Sequence, residues 1–204
     1  MQISPFSFQT IKSPSEGVYK EKGSKFFAFA FPVESEQDIK DRLADLRKKY
    51  FDARHHCFGY LLGADKSKHR AFDDGEPNHS AGDPILGQIK SKNLTNVLVI
   101  VVRYFGGTKL GVGGLIQAYK TAAEDALHHA IIIVREVKEL ISIKYSYEAT
   151  PEMMRLVKEF DLEILEQTFE EDCKLKGTIT LKVKKEFVDR LTLLHALGNK
   201  IILE

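Results

Sequence analysis

The stretch "VLVIVVRYFGGTKLGVGGLIQAY", residues 97–119, decides the fold of the region around it. Its first six residues form a continuous apolar run, which predicts a strand that is covered on both faces. Five glycines then fall within nine residues, and a helical pattern runs on from Leu115. Glycines at a strand-to-helix turn permit left-handed backbone and let another group approach closely. The stretch therefore predicts a buried strand, a glycine-rich turn and a helix.

Arg103 is the charge that ends the apolar run. It needs a partner or water, because burying it unpaired costs several kcal/mol. Ligands tend to bind at strand ends in α/β sheets, and the helix that follows directs free N–H groups toward the turn. With Lys109 inside the turn, these features predict a pocket for a phosphate or carboxylate. The candidate anion-binding residues are Arg103, Gly106, Gly107, Lys109, Gly111, Gly113 and Gly114.

A second interpretation of the same stretch is purely structural. The glycines would only shape a tight turn and pack the helix on the sheet, and Arg103 would form an ion pair within the fold. The stretch is not a Walker loop, because no Gly-Lys-Ser/Thr ends it, and it is not a GxGxxG fingerprint. The sequence leaves both interpretations open.

Further polar residues cluster in "RHHCFGY", residues 54–60, and "AFDDGEPNHSAGDPIL", residues 71–86. Their side chains are of types that bind metals or transfer protons, but none has a standard ligand spacing. We therefore predict no metal and no cofactor. The Asp-Gly and Glu-Pro pairs are first of all turn formers, so solvated turn residues, contacts to a ligand, and ion pairs to Arg103 and Lys109 all stay open. The additional candidates are Lys25, His55, His56, Asp73, Asp74 and Glu76.

The composition sets limits on function. A net charge of +1 gives no strong attraction to nucleic acid or membranes, and no strand of RNP type, aromatic and basic together, is evident. The two cysteines are far apart and provide neither a disulfide framework nor a metal knuckle. The chain shows no signal-peptide pattern, and no apolar run approaches ~18 residues. We therefore expect a cytoplasmic protein that does not enter a membrane.

The pattern of elements predicts an α+β fold with two domains, 1–136 and 137–204. Residues 1–135 carry 19 Lys and Arg against 15 Asp and Glu, a net +4, whereas residues 136–204 carry 11 against 14, a net −3. The back domain follows the order βαββαβ of a ferredoxin-like sandwich. Within it, the alternation in "CKLKGTITLKVK", residues 173–184, predicts one half-exposed strand.

Four segments of the chain closely resemble motifs of the Impact/YigZ family. They are "KGSKF" (22–26), "HHCFGY" (55–60), "DDGEP" (73–77) and "NVLVIVVRYFGGTKLGVGGLIQAY" (96–119), in the family's order. The resemblance implies that the front domain has the fold of the second domain of ribosomal protein S5. That fold is a mixed sheet with helices on one face and a left-handed βαβ crossover. The back domain resembles the last domain of elongation factor G. One departure is "NHSAGD", residues 78–83, which places Asp83 where the family carries positive charge and weakens an anion pocket there.

The family resemblance implies a translation-linked binding protein rather than an enzyme. Eukaryotic members regulate translation through a protein partner that controls a stress kinase. RNA, the ribosome or a ribosome-associated protein is then the expected partner of this chain. Two alternatives stay open: an enzyme acting on a small phosphorylated substrate at the Arg103/Lys109 pocket, and a pure protein-interaction module. Against an enzyme, no nucleophile and base are evident at a suitable spacing. The sequence does not define an oligomeric state.

Overall fold

The computed structural model describes residues 5–170 and 172–204. The chain divides into two compact units: a front unit, residues 8–135, and a back unit, residues 136–204 together with residues 5–7. Residues 1–4 and 171, which the predicted domains include, lie outside the described residues. The α+β class predicted from the sequence is confirmed.

The front unit carries three helices and most of the strands. In chain order the elements that lie in it, apart from the end residues Ser7 and Glu136, are β1 (Ser7–Ile11), β2 (Ser15–Glu21), β3 (Ser24–Pro32), α1 (Glu36–Lys49), β4 (His55–Leu62), β5 (Lys68–Phe72), α2 (Gly82–Ser91), β6 (Val97–Tyr104), α3 (Gly111–His128) and β7 (Ile132–Glu136). Strands β1 and β7 pair in a two-stranded sheet.

The main sheet of the front unit has five strands in the order β2-β3-β6-β4-β5. Each neighbouring pair is antiparallel, so the predicted mixed sheet is wrong. Strands β3 and β4 run parallel to each other but are separated by β6, and α1 connects them. Strands β5 and β6 are related in the same way through α2. Inserting a strand between the two parallel ones turns every direct pairing antiparallel.

Helices cover both faces of this sheet, which corrects the predicted arrangement with helices on one face. Alternate residues of β6, such as Val99 and Val101, join the core formed with α2 and α3. Leu98 and Ile100 join a second core that includes Ile39 of α1. The uninterrupted apolar run of β6 has this cause, because a strand with one solvated face would alternate.

The back unit consists of β8 (Lys138–Tyr145), α4 (Thr150–Glu159), β9 (Glu163–Thr168), β10 (Cys173–Thr180), α5 (Leu181–Ala196) and β11 (Ile201–Leu203). Its sheet has the order β11-β8-β10-β9, and each neighbouring pair is antiparallel. The predicted βαββαβ order is therefore confirmed. The predicted strand 173–184 is too long, because helix α5 begins at Leu181. Buried Phe187 and Leu191 anchor that helix on the core, so tertiary packing overrides the alternation in residues 181–184.

Among the helices of residues 5–170 and 172–204, none combines the length and the apolar character that crossing a membrane requires.

Candidate functional site

The four motif segments meet at one end of the front-unit sheet. Strands β3 and β4 begin there and β6 ends there, so that Arg103 is the register partner of both Phe26 and His55. The backbone N–H of Gly106 donates to Oγ of Ser24 at 3.0 Å. The sheet topology thus brings segments 22–26, 55–60, 73–77 and 96–119 together at this one end of the sheet.

Arg103 forms a buried ion pair with Glu76 at this end of the sheet. The distance from Arg103 Nη1 to Glu76 Oε1 is 2.5 Å, and the two side chains are 7% and 4% exposed. The hydroxyl of Tyr119, on α3, donates to the same carboxylate oxygen at 2.7 Å. The guanidinium carbon of Arg103 lies 5.4 Å from the ring centre of Phe26 and 5.7 Å from that of Phe105. Arg103 therefore has a structural partner.

One donor of Arg103 is not used by this network. Its Nε atom is buried and has no hydrogen-bond partner. A buried donor without a partner costs about 1–3 kcal/mol, so an acceptor brought to this position would be stabilised. The ion pair therefore does not exhaust what the arginine can bind.

A groove of about 400 Å³ opens next to the Arg103–Glu76 pair. Its walls are mainly apolar, and Lys109 is exposed at its rim. The groove also meets the start of α3, whose N-cap residue Leu110 makes no side-chain hydrogen bond to the helix. The first N–H groups of a helix have no partner within it, so this end of α3 offers free donors. The lining residues are Glu76, Pro77, Arg103, Phe105, Lys109, Leu110, Gly111, Val112 and Leu115.

The glycines of the turn do different work. A methyl group on Gly106 would lie 1.9 Å from the backbone carbon of Gly23, so this glycine permits close contact between β6 and the β2–β3 turn. Gly107 and Gly111 have φ angles of +87° and +73°, which favour glycine. Gly114 lies near Leu110, whereas the position of a methyl group on Gly113 is open space. No contact within the described fold explains Gly113.

The acidic turn binds backbone groups of its own unit. Oδ1 of Asp73 accepts from the N–H groups of Ala81 and Gly82 at 2.9 and 2.8 Å, and Oδ2 accepts from His79. These bonds cap the start of α2. Burial, the largest single effect, raises the pKa of Asp73, but the three N–H donors together hold it below its ordinary value.

Asp74 links the acidic turn to β4 and α1. Its Oδ2 accepts from the backbone N–H of His56 at 2.7 Å, and its Oδ1 lies 3.2 Å from Nη2 of Arg47. The Asp74 carbonyl oxygen lies 2.9 Å from Nδ1 of His55. Of the three candidate carboxylates in this turn, the groove is lined by Glu76 only.

Lys25 and His56 lie on the sheet face opposite to Arg103. Lys25 is exposed and pairs in register with Tyr104, and His56 is buried beside Val102. Burial lowers the pKa of His56, and its Nε2 atom has no hydrogen-bond partner. Successive residues of a strand point to opposite faces, so these two candidates cannot join Arg103 in one pocket.

The sequence reasoning missed the residues that surround Arg103. Phe26 and Tyr119 contact the ion pair from neighbouring elements, and Phe105 and Val112 form exposed apolar walls of the groove. Large apolar side chains within a glycine-rich turn were the available signal, because a solvated turn would carry polar residues there.

Neither the thiol nor the phenol buried beside Arg103 and Glu76 is activated as a nucleophile. Burial raises the pKa of the Cys57 thiol and that of the Tyr119 hydroxyl, so both groups stay protonated near neutral pH. Within residues 5–170 and 172–204, no three His, Cys, Asp or Glu side chains are grouped as a metal site requires.

The fold is that of a two-unit α+β protein, and comparison with known proteins places it in a family. The chain matches the Impact N-terminal domain over residues 22–127, and it belongs to the Impact family. It is 28% identical to the IMPACT family member YvyE of Bacillus subtilis over 91% of this chain and 86% of that protein. It is 37% identical to the IMPACT family member YigZ of Escherichia coli over 56% of this chain and 57% of that protein. The crystal structure of a hypothetical protein, 25% identical, matches with a TM-score of 0.79 over 96% of both chains.

Proposed function

We propose that this chain is a non-enzymatic binding protein linked to translation, and that its partner is a protein held in the groove beside the glycine-rich turn. The translation link comes from the family resemblance. The kind of partner comes from the chemistry of the groove.

The single observation that carries the proposal is the mixed character of the groove. Phe105, Leu110 and Val112 supply apolar wall, and Lys109 makes no ion pair with any described residue. The charge of Arg103 is offset by Glu76. One free cation and a helix start in an apolar groove suit an apolar segment that carries one carboxylate. A polyphosphate or polynucleotide would need several free cations here.

An enzyme acting on a phosphorylated substrate is supported less well. Such chemistry needs a group that attacks or abstracts a proton, and the nearest thiol, that of Cys57, is buried and protonated. Lys109 can orient a ligand, but no described residue is placed to activate a nucleophile beside it.

The test compares two charge reversals on the full chain. Lys109→Glu changes the groove, and Lys120→Glu changes an exposed lysine further along α3 outside the groove. Each tagged variant captures proteins from cell extract, with and without RNase. We expect wild type and Lys120→Glu to retain a translation-associated protein after RNase, and Lys109→Glu to lose it. Equal capture by Lys109→Glu would refute the groove as the contact. Loss of the protein on RNase treatment would refute a direct protein partner.

A further inference from the structure

A second cleft lies on the sheet face that α1 covers, away from the groove beside the glycine-rich turn. It has a volume of about 380 Å³ and is bounded by α1 on one side and by strands β4 and β5 on the other. The helix contributes one stripe of side chains at helical spacing, and the strands contribute two aromatic rings and a guanidinium group. The lining residues are Lys40, Leu43, Ala44, Arg47, Phe58, Arg70 and Phe72.

The charge of this cleft is positive. Three of the seven lining residues are cations and none is a carboxylate. Arg47 is paired with Asp74 at 3.2 Å. Across the described ranges, Lys40 and Arg70 have no carboxylate within ion-pair distance, and both are exposed. Two unpaired cations beside apolar wall fit an anionic ligand.

Arg70 lies over a pair of aromatic rings. Its guanidinium carbon is 5.5 Å from the ring centre of Phe72 and 5.9 Å from that of Phe58, and the two ring centres are 5.3 Å apart. Phe72 is partly exposed. Single-stranded bases stack on aromatic rings and on arginine planes, so this arrangement offers the surface that an unpaired base uses.

No strand of RNP type is evident in the sequence, but the β4–β5 hairpin still places aromatic and basic side chains next to each other. Strand β5, "KHRAF", carries Arg70 and Phe72 together, and strand β4, "HHCFGYLL", adds Phe58 and Tyr60. Antiparallel pairing places Phe58 opposite Phe72 and Tyr60 opposite Arg70. The hairpin therefore joins the arginine and the ring of β5 to the rings of β4 on one face of the sheet.

We propose that the cleft between α1 and β5 binds single-stranded RNA. A base stacks on Arg70 and Phe72, and Lys40 contacts a backbone phosphate. The planar stack favours a nucleotide over an acidic peptide, whose carboxylates would use the cations but not the rings. The choice of RNA over DNA rests on the proposed link to translation, whereas the cleft itself is independent of the Lys109 groove.

The experiment measures binding of a fluorescein-labelled 12-residue oligouridine to the full chain by anisotropy, from 50 to 200 mM salt. We expect Arg70→Ala to weaken binding about tenfold. Arg70→Lys should keep the charge and the salt dependence but regain only part of the affinity, because it lacks the plane. Lys40→Ala should lower the slope of log K against log salt by about 0.7. Lys120→Ala, on α3 at the opposite face, is the control and should bind as wild type.

Four outcomes would overturn the proposal. The first is no binding by wild type at 50 mM salt. The second is equal binding by Arg70→Ala and Lys120→Ala, which would mean that Arg70 packs on the two rings without contacting RNA. The third is equally effective competition by polyglutamate, which would assign the cleft to an acidic protein. The fourth is equal affinity for oligodeoxyuridine, which would remove the choice of RNA. Because Lys109→Glu should bind RNA normally, failure here is distinguishable from failure of the proposed function.

Discussion

Arg103 and Glu76 join strand β6 to the turn that follows β5 through an ion pair of 2.5 Å that is almost fully buried. Tyr119 adds α3 to the same carboxylate. Three segments that are distant in sequence are thus fixed at the groove by one acidic side chain. Arg103 both lines the groove and holds the fold together through this ion pair, so the effect of a substitution on binding and on stability must be measured on the same protein.

The first prediction is that Arg103→Ala destabilises the fold by about 3–5 kcal/mol, because Glu76 is left buried without its partner. Replacing both residues, Arg103→Ala with Glu76→Ala, should cost less than the sum of the single replacements. Urea denaturation of the two single variants and the double variant measures this coupling. Strictly additive losses would mean that the pair contributes no interaction energy.

Loss of binding by Arg103→Ala is informative only when the melting temperature is measured on the same protein. Arg103→Lys retains the charge and should be the milder change, but it cannot reproduce the planar contacts with Phe26 and Phe105. A variant that melts early yet captures its partner normally would restrict Arg103 to the fold.

The second prediction concerns the carboxylate of Asp73. Asp73→Ala removes three hydrogen bonds from the start of α2 and should cost about 2 kcal/mol or more at pH 7. The pKa of Asp73 is lowered in the folded state, so its contribution is complete above its ordinary pKa of 3.8 and is lost as the pH falls through the lowered value. Acid titration by circular dichroism should show a smaller loss of stability below pH 4 in the variant. An equal loss of stability below pH 4 in wild type and in Asp73→Ala would contradict this role.

The sequence predicted the individual helices and strands of this chain better than the way in which they pair and pack. Local signals were sufficient for the apolar strand β6 and for the βαββαβ order of the back unit. The antiparallel pairing of the strands and the sheet face that α1 covers depend on the insertion of β6 between β3 and β4. No local sequence pattern encodes that insertion.

Only the part of the candidate site that lies in one continuous segment was predicted, because the arrangement of distant segments is not encoded locally. The groove does bring together Arg103, Lys109 and Gly111, which lie within nine residues of one another. Glu76 reaches the groove from a distant turn, whereas Asp74, two residues earlier, contacts α1 and β4. Sequence spacing does not distinguish two carboxylates in one turn, because backbone geometry decides where each one points.

The third prediction concerns His56. Burial lowers the pKa of this ring, so below its ordinary pKa of 6.5 the unfolded chain binds a proton that the folded chain does not. Its contribution to stability is therefore complete above about pH 6.5 and decreases as the pH falls toward the lowered value. His56→Leu should flatten the dependence of the free energy of unfolding between pH 7 and pH 5. Denaturation at several pH values measures it, and identical slopes in variant and wild type would exclude His56 as the cause.

The fourth prediction is that residues 137–204 fold without the front unit. The core of the back unit, from Ile141 to Ile201, consists of residues of that unit only. A fragment of this size buries enough surface to fold alone but is marginally stable. The fragment should show one cooperative thermal transition by circular dichroism. A gradual loss of signal would mean that the proposed boundary, or the independence of the unit, is wrong.

The fifth prediction separates two glycines of the same turn. Gly106→Ala places a methyl group against the backbone of Gly23 and should destabilise the fold by about 1–3 kcal/mol. Gly113→Ala meets open space in the first turn of α3, where its φ is not positive, and should stabilise the fold by about 0.5–1 kcal/mol. Gly113 does not line the groove, so its added methyl group should leave the contact with the partner unchanged. Gly113→Ala should therefore melt later than wild type and capture as much of the partner in RNase-treated extract. Reduced capture by this more stable variant would mean that the partner also contacts α3 outside the groove, and the groove as described would not be the whole contact.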